Sequence, residues 1–155
     1  MRIDFLKFVA ISLMVFGFIA CNDDDSFSEN KTPIGYNELP LNSRELIENN
    51  FSGAEAVNVF KFLMPDTDGS IFEVRLNNGF ELEFSEDGHL TDADGNGQLI
   101  PNGLVFEPIL NYVQTNYPDN FIVEIDFEQT AYEIELNNDL GLRFDLVGNF
   151  IGFDD

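Results

Sequence analysis

A short pattern occurs twice in the chain at a fixed spacing, and this repeat constrains the fold more than any other feature. The segment FEVRLNNGFELEF at residues 72–84 returns as YEIELNNDLGLRF at residues 132–144, without a gap and with an offset of 60 (132 − 72 = 60). Gly88 and Gly148 keep the same offset. A fixed period of this length indicates copies of one supersecondary unit. The repeat therefore predicts a scaffold of two units, and it argues against a single catalytic pocket built from unique residues.

Alternation of side chains within the repeated segments predicts β-strands. In residues 72–76 apolar residues alternate with charged ones, and residues 132–136 keep this alternation. A period of two is typical of strands that bury one face. Asn78 and Gly79 are a strong signal for a tight hairpin, since both tolerate positive φ.

Each unit also carries one helical signal. Asn42, with Glu45 three residues later, resembles a capping box and predicts a short helix over about residues 43–51. In the second unit Pro108 fits the first turn of a longer helix. That helix is expected to end at Tyr117, because a proline follows.

Together these signals predict an α+β fold. We expect two tandem helix-plus-strand repeats, at about residues 39–97 and 98–155, that form one antiparallel sheet of about eight strands. The helices should cover the apolar face of this sheet. The other face should be polar and open to water, as antiparallel sheets allow.

The first 21 residues have the pattern of a bacterial lipoprotein signal. Arg2 and Lys7 precede an apolar run at residues 8–20 that is too short for the ~20 residues of a membrane-spanning helix. Cys21, the only cysteine, follows directly in a sequence similar to a lipobox. We therefore predict that residues 1–20 are removed and that Cys21 is lipidated. The alternatives are a plain signal peptide followed by a free thiol, or a buried thiol, which the acidic residues that follow disfavour.

Residues 21–38 are predicted to be an acidic flexible tether, because they are rich in Asp, Asn and Ser and lack periodicity. The folded domain is then expected at residues 39–155. Asp23, Asp24 and Asp25 resemble the acidic export signal of surface lipoproteins, although a solvated tether explains them equally well. The predicted location is the outer membrane of a Gram-negative bacterium, on its periplasmic or its surface-exposed side.

The strongly acidic composition excludes one class of partner. The chain has 29 Asp and Glu against 7 Lys and Arg, a formal charge of −22, and loss of residues 1–20 makes it one unit more negative. Nucleic acids require a basic footprint, so we expect no nucleic-acid partner. Anionic lipid headgroups would also repel the domain. Membrane contact is therefore expected only through the lipid on Cys21.

The repeated segments and the residues that flank them resemble the PepSY-like, beta-lactamase-inhibitor-protein-like family of bacterial exported proteins. The resemblance covers about residues 39–155 and rests on a Leu-Pro or Ile-Pro before each helix, the hairpins, and the glycines that end each pattern. The matching segments are 39–40, 72–79 and 81–88 in the first unit and 100–101, 117–118, 132–136 and 144–148 in the second. Departures are Phe72 for tyrosine, Ser85 for aspartate and Asp139 for the hairpin glycine. The resemblance implies a concave sheet that grips another protein, without implying that this protein is a beta-lactamase.

Our first functional hypothesis is a non-enzymatic, lipid-anchored binding module. Its open sheet face would engage another exported protein or a polymer. Candidate contact residues are two arginines, two phenylalanines and three glutamates: Arg75, Arg143, Phe60, Phe62, Glu73, Glu133 and Glu135. For the glutamates the simpler explanation is a solvated face.

The two phenylalanines are placed by an irregular pattern. Val57 and Val59 begin an apolar face, Lys61 interrupts it, and Phe60 and Phe62 continue it, so we expect a bulge near Lys61. This interpretation puts both phenylalanines in the core. If they are exposed, they become the best candidates for contact with a partner, because aromatic residues dominate interface energy.

The rival hypothesis is a calcium-binding or calcium-stabilised envelope protein. Asp92, Asp94 and Asn96 have the spacing of the first three ligands of a calcium loop, but position 12 is Gly103 instead of glutamate. The simpler explanation is a polar turn between the units. The segment at residues 66–69 is a weaker echo, expected to be a hairpin turn. Beyond calcium we expect no cofactor.

We expect no enzymatic activity. The sole histidine, His89, follows a glycine at a strand start, where a solvated turn residue is the simpler explanation than a catalytic base. One histidine and one cysteine are too few for a zinc site. Carboxylate pairs suited to glycan hydrolysis cannot be picked out from so many acidic residues.

Overall fold

The computed structural model describes residues 30–154. The predicted signal peptide at residues 1–20, the lipidation of Cys21 and the acidic signal at residues 23–25 lie outside the described residues, and they remain predictions. Among residues 30–154, neither helix has the length and apolar character needed to cross a bilayer.

Nine strands form one antiparallel sheet whose order follows the chain from β1 to β9. The strands are β1 Lys31–Pro33, β2 Ala56–Phe62, β3 Phe72–Leu76, β4 Glu81–Phe84, β5 Leu90–Asp94, β6 Ile122–Phe127, β7 Tyr132–Leu136, β8 Gly141–Phe144 and β9 Phe150–Asp154. Helix α1 (Leu41–Asn50) precedes β2, and helix α2 (Glu107–Asn116) precedes β6. Short 3-10 turns at Tyr36–Glu38 and Asn102–Leu104 precede the helices. The α+β class is as predicted.

The strand count is nine instead of about eight, because β1 lies in the predicted tether. Lys31 pairs with Phe62 and Pro33 pairs with Phe60, so β1 extends the sheet beyond β2. The N–H of Ile34 also donates to the carbonyl oxygen of Val59 at 2.9 Å. The prediction that the tether reaches residue 38 is therefore wrong. A three-residue strand is too short to show alternation, and the charged and proline residues in it gave no strand signal.

Strand pairing in the second half follows that of the first half with an offset of 60. The β3–β4 hairpin pairs Phe72 with Phe84, and the β7–β8 hairpin pairs Tyr132 with Phe144. The next pairs, β4–β5 and β8–β9, both shift register at the residue before the last phenylalanine, between Glu83 and Phe84 and between Arg143 and Phe144. The predicted hairpins are therefore present at both positions.

Helix α1 does not begin with the predicted capping box. Its N-cap is Pro40, in an extended conformation (φ −51°, ψ 148°), and no side chain caps the helix. Asn42 lies inside the helix, and its amide donates to the carbonyl oxygen of Asp87 at 3.3 Å. The chain thus enters the helix two residues earlier than predicted. In α2, Pro108 occupies the first turn as expected, and Tyr117 follows the last helical residue.

The irregularity in β2 lies at its start and not at Lys61. The register shifts between Ala56 and Asn58, so Val59 is the buried residue and pairs with Val74. Phe60 then pairs with Glu73 on the opposite face. Phe60 and Phe62 consequently lie on the open face, so the prediction that they belong to the core is wrong.

The core lies between the two helices and one face of the sheet. Ile47 of α1 and Ile109 and Val113 of α2 belong to one cluster with the inward residues of the strands, which are Val74, Leu82, Phe84, Ile125, Ile134, Leu142 and Phe144. Each of these strand residues is at most 2% exposed. Full burial of such a side chain contributes about 1.5–3 kcal/mol, so this layer holds the sheet to the helices.

Gly88 and Gly148 lie in sheet turns that pack against the starts of the helices. Both have positive φ, 80° and 85°, and both face the proline at the start of a helix. A Cβ on Gly88 would lie 2.6 Å from Cβ of Pro40, and a Cβ on Gly148 would lie 2.6 Å from Cβ of Pro108. The two glycines therefore let the start of each helix pack closely against a sheet turn, which a residue with a Cβ atom would prevent.

We predict that Gly88→Ala and Gly148→Ala each lower the free energy of unfolding by about 2–4 kcal/mol, because backbone strain adds to overpacking. Urea unfolding measures the change. Gly53→Ala is the matched control: its φ is 85°, but nothing lies within 4 Å of an added Cβ. It should cost only about 1 kcal/mol. Equal losses at all three positions would contradict the packing argument.

Candidate functional site: the acidic sheet face

The open face of the sheet carries two rows of carboxylates that cross strands β4, β5, β6 and β7. We call this surface the acidic face, and its residues are Glu81, Glu83, Asp92, Asp94, Glu124, Asp126, Glu133 and Glu135. One row pairs Glu83 with Asp92, Asp92 with Asp126, and Asp126 with Glu133. The other pairs Glu81 with Asp94, Asp94 with Glu124, and Glu124 with Glu135. Like charges directly opposite one another in a sheet are destabilising, so this arrangement requires an explanation.

Basic residues lie only at the two flanks of the acidic face among the described strands. At one flank, Glu73 accepts hydrogen bonds from Lys31 and from Nε of Arg75, the second at 3.0 Å. At the other, Arg143 donates to Glu128 at 2.9 Å and to Glu133. No salt bridge within residues 30–154 reaches Glu83, Asp92, Glu124 or Asp126. No basic side chain of the described residues therefore pairs with the carboxylates at the centre of the face.

Burial makes this charge costly. It raises the pKa of Asp92 to about 8, and repulsion from Glu124 and Glu83 adds to the effect. Burial also raises the pKa of Glu83 to about 7, against a hydrogen bond from Ser70 that lowers it. For Asp126, burial and then repulsion from Asp68 raise the pKa to about 6. Several central carboxyls therefore hold protons far more tightly than ordinary ones.

The pKa values of Glu124 and Glu133 are raised in the same direction. Burial is the main cause for both, with repulsion from Asp94 on Glu124 and from Asp154 on Glu133. In addition, Oδ1 of Asp126 is buried and has no hydrogen-bond partner within residues 30–154. These groups form a surface that gains stability when positive charge approaches it.

An acidic groove of about 280 Å³ lies on this face beside the last strands. It is lined mainly by carboxylates: Glu124, Asp126, Glu133, Glu135, Asp139 and Asp154, with Ile134 and Gly141. Gly141 opens the groove, because its position corresponds to Glu81 in the first half and it carries no side chain there. The groove is wide enough for an ammonium or guanidinium group.

The predicted contact residues are distributed unevenly. Glu133 and Glu135 line the groove, as a binding role requires. Glu73 is only 5% exposed and its carboxylate is engaged by two cations, so the expectation of a solvated glutamate is wrong there. Arg75 and Arg143 lie on the open face but are held in ion pairs with neighbouring glutamates.

Phe60 and Phe62 are half-buried at the flank of the acidic face. Nζ of Lys31 lies 4.7 Å from the ring centre of Phe60 and 5.8 Å from that of Phe62. Such cation–π contacts fix the position of Lys31 and hence of β1. The two rings therefore belong to the anchoring of β1, with part of their surface open to the solvent.

The predicted calcium loop does not form. Asp92 and Asp94 lie in strand β5, and only Asn96 lies in a turn, where its amide donates to the carbonyl oxygen of Gly79 at 2.8 Å. Among residues 30–154 no group of three or more His, Cys, Asp or Glu side chains has an arrangement that could hold a metal ion. The segment at residues 66–69, which resembles a calcium loop more weakly, forms the β2–β3 turn. In it the side chain of Asp66 accepts hydrogen bonds from the backbone N–H groups of Asp68 and Ser70. Pairing of β5 with β4 on one side and β6 on the other makes residues 90–94 a strand despite the loop-like spacing.

Sequence reasoning missed the central carboxylates as a site. Alternation puts Glu83, Glu124 and Asp126 on the outer face, but it does not say which strands are neighbours. The adjacency of β5 and β6 brings Asp92 and Asp126 together, and it joins the two halves of the chain. His89, for comparison, is exposed in the turn before β5, and its N–H donates to Oγ of Ser85 at 3.2 Å.

We predict that stability falls as the pH rises. A carboxyl whose folded-state pKa lies above its unfolded value binds its proton more tightly in the folded chain. For Asp92 the window runs from the ordinary value of 3.8 up to about 8, and the stabilisation is lost across it. Urea unfolding at about pH 5 and about pH 8.5 should show the lower stability at the higher pH.

The variant Asp92→Asn should flatten this pH dependence and be more stable than the parent at the higher pH. The matched control is Asp87→Asn, which removes the same charge at an exposed turn position. It should leave the slope of stability against pH nearly unchanged. A parent protein more stable at the higher pH would contradict the prediction.

Solved structures resemble this chain over most of its length. One is a protein of Bacteroides thetaiotaomicron designated as a calcium-regulated periplasmic protein, with 28% identity, a TM-score of 0.72, and coverage of 81% of this chain and 97% of that one. Another is a periplasmic protein of the DUF2874 family from Bacteroides vulgatus, with 27% identity, a TM-score of 0.74, and coverage of 83% and 99%. A third, a periplasmic protein of unknown function from the same species, has 27% identity, a TM-score of 0.74, and coverage of 81% and 100%.

The sequence profile described as beta-lactamase-inhibitor-like and PepSY-like matches the chain twice, over residues 26–92 and 70–152. A comparison with curated proteins gives no significant match. The two profile matches together span most of the chain and all the strands of the acidic face. The chain therefore belongs to the PepSY-like, beta-lactamase-inhibitor-like family.

Proposed function

We propose that the protein is a non-enzymatic binding module of the cell envelope that holds a cationic partner on its acidic face. The observation that carries this proposal is the row of carboxylates Glu83, Asp92 and Asp126, whose pKa values are raised by burial and by neighbouring carboxylates and which no salt bridge of residues 30–154 reaches. A ligand that binds only the folded chain stabilises it, and a cation relieves the repulsion at the same time. The same residues therefore cost stability in the free protein and favour binding.

The partner is expected to be another exported protein or a polymer that carries basic groups. The acidic groove offers six carboxylates to a lysine or arginine side chain. A field of one sign also speeds the encounter with oppositely charged partners. The inhibitor-like description of the family supports a protein as the ligand.

Anchoring at the membrane is the second part of the proposal. Lipid on Cys21 would hold the mature chain at the outer membrane, on its periplasmic or surface side, with a tether of about nine residues before the first described residue, Asn30. The periplasmic designation of the similar proteins supports an envelope location. The acidic face would then project from the membrane towards soluble partners.

We also infer that the domain consists of two tandem copies of one helix-plus-strand unit. The shared offset of 60 in the hairpins and bulges supports this division. The joint between the copies is then the β5–β6 pair, which brings the carboxylates of both copies together. Tandem copies would thus create the acidic centre that neither copy has alone.

A labelled pentalysine peptide tests the binding proposal. We predict that it binds the chain from residue 22 onward and that the double variant Asp126→Asn, Glu135→Gln binds it about three- to tenfold more weakly, because each surface charge pair contributes about 0.2–1 kcal/mol. Fluorescence anisotropy at low salt measures the affinity.

The control is the double variant Asp87→Asn, Glu45→Gln, which removes the same two charges from exposed positions away from the acidic face. It should change the affinity less than the groove variant does. Equal weakening by both double variants would show a diffuse charge effect and would contradict a site on the acidic face.

Calcium is the second candidate ligand, favoured by the designation of one similar protein as calcium-regulated. The three carboxylates of the central row, Glu83, Asp92 and Asp126, are its candidate ligands. Because no three side chains converge in the described arrangement, calcium would have to reorient them. The loop spacing of Asp92, Asp94 and Asn96 is not needed for this candidate.

If calcium is the ligand, millimolar calcium should raise the melting temperature by several degrees, and magnesium should not, because it demands a stricter octahedral geometry. Asp126→Asn should remove the rise, whereas the exposed Asp87→Asn should keep it. Equal effects of both cations, or an unchanged rise in Asp126→Asn, would rule out a calcium site on this row.

A further inference from the structure

The last strand, β9, has an edge that no other strand covers within residues 30–154. It pairs with β8 on one side only, and it ends the sheet. The opposite edge of the sheet is β1, a strand of three residues that contains a lysine and a proline and covers part of β2. An uncovered strand presents a row of backbone donors and acceptors to any extended chain.

Strand β5 has the same pairing geometry as β9, and its outer edge pairs with a further strand. At an offset of 60, β9 corresponds to β5, and the two strands pair with β8 and β4 in the same way, including the register shift. The outer edge of β5 is filled by β6, where Ala93 pairs with Ile125 and Asp94 pairs with Glu124. Strand β9 therefore has the geometry of β5, whose outer edge pairs with β6. The outer edge of β9 has no such partner within residues 30–154.

The side chains on β9 are those of an interface and not of a protected edge. Ile151 is 56% exposed and Phe153 is 62% exposed. At the position of Phe153, β5 has Ala93, which is fully buried. Neither lysine nor proline, the residues that commonly protect sheet edges, occurs in β9. The ring of Phe153 instead extends the aromatic cluster of Phe150, whose centre lies 5.3 Å away.

The two faces beside β9 differ in character. Phe153 pairs with Leu142 on the helix-covered face, so this side is apolar. On the other face Asp154 pairs with Gly141 and borders the acidic groove. A strand added to β9 would alternate between these two environments.

We propose that β9 is the docking strand for the partner, and that the partner contributes an extended segment in which apolar and basic residues alternate. This inference rests on the proposed function, because it takes the partner to be cationic, and it adds how the partner binds. The segment pairs antiparallel with β9 as β6 pairs with β5. Its apolar residues pack beside Phe153, and its basic residues reach Asp154 and the rim of the groove.

A second copy of this chain fits the edge less well. A five-residue strand offers a small area to either partner, so charge decides between them. Each copy also carries a formal charge of −22, which opposes association. Charge complementarity therefore favours a basic segment of another polypeptide.

The chain itself supplies the template for a probe. Strand β6 has the sequence IVEIDF, and in register with β5 its two acidic residues lie opposite Asp92 and Asp94. The probe is a synthetic peptide of this sequence with lysine in place of both acidic residues (Ile-Val-Lys-Ile-Lys-Phe), titrated into the chain from residue 22 onward and followed by amide NMR. A second peptide with the same composition in the order Ile-Ile-Val-Phe-Lys-Lys lacks the alternation.

With the alternating peptide, we expect saturable changes in the amide chemical shifts of β9 and slower hydrogen exchange at the same amides. Phe153→Lys should weaken its binding about tenfold, because it removes an apolar contact and repels the lysines. Ile151→Lys is the second variant, and both positions are exposed enough to keep the fold. Met64→Lys is the matched control, since Met64 is 69% exposed in the loop after β2 and the charge change is the same.

Three results would overturn the inference: equal binding of the two peptides, shifts confined to the acidic face away from β9, or unchanged binding in both β9 variants. If pentalysine still binds in these cases, the proposed function stands without the docking strand. Failure of pentalysine to bind would reject the proposed function itself. Concentration-dependent sedimentation that Phe153→Lys abolishes would assign the edge to a second copy and overturn the peptide partner.

Discussion

The strict alternation of side chains across one continuous sheet is the constraint on which the rest of the molecule depends. It sends Leu82, Phe84, Leu142 and Phe144 into a core with both helices, each fully buried. It sends the carboxylates between them to the opposite face. Burial of each large apolar side chain contributes about 1.5–3 kcal/mol, and this favourable term outweighs the repulsion along the acidic rows. The core therefore allows a charge arrangement that would be unfavourable in an isolated sheet.

The few basic residues are placed where they stabilise the flanks and leave the centre charged. Lys31 contacts Glu73 and the ring of Phe60, and so it ties β1 to the sheet. Arg143 ties β8 to Glu128 and Glu133. Breaking a buried ion pair by removing one partner is usually costly, so the Lys31–Glu73 contact serves the fold, whereas the more exposed pairs of Arg143 contribute less. The arginines predicted as contact residues are thus held in ion pairs at the flanks, and the carboxylates that they do not reach form the centre of the candidate site.

Much of the fold follows from local sequence, and the site does not. The hairpins of residues 72–84 and 132–144 and the helix at Pro108 were predictable, because turn signals and alternation act over a few residues. Strand β1 was not predictable, since it forms by backbone pairing with β2, which lies more than 20 residues away in the sequence. The acidic centre depends on the adjacency of β5 and β6, which is a property of the whole sheet. The loop spacing of Asp92, Asp94 and Asn96 misled for the same reason, because pairing of β5 on both sides makes it a strand.

Charge on the face and the free edge of β9 are consequences of one architecture. In the two-unit division that we propose, the halves of the sheet join through β5 and β6, and this joint gathers carboxylates from both halves. The same construction leaves the counterpart of β5 without a neighbour at the end of the sheet. An arriving basic strand would satisfy both features, since it pairs with the open backbone and reduces the repulsion beside it. The energy that destabilises the free protein at high pH is then part of the free energy available for binding, so stability and affinity should respond to pH in opposite directions.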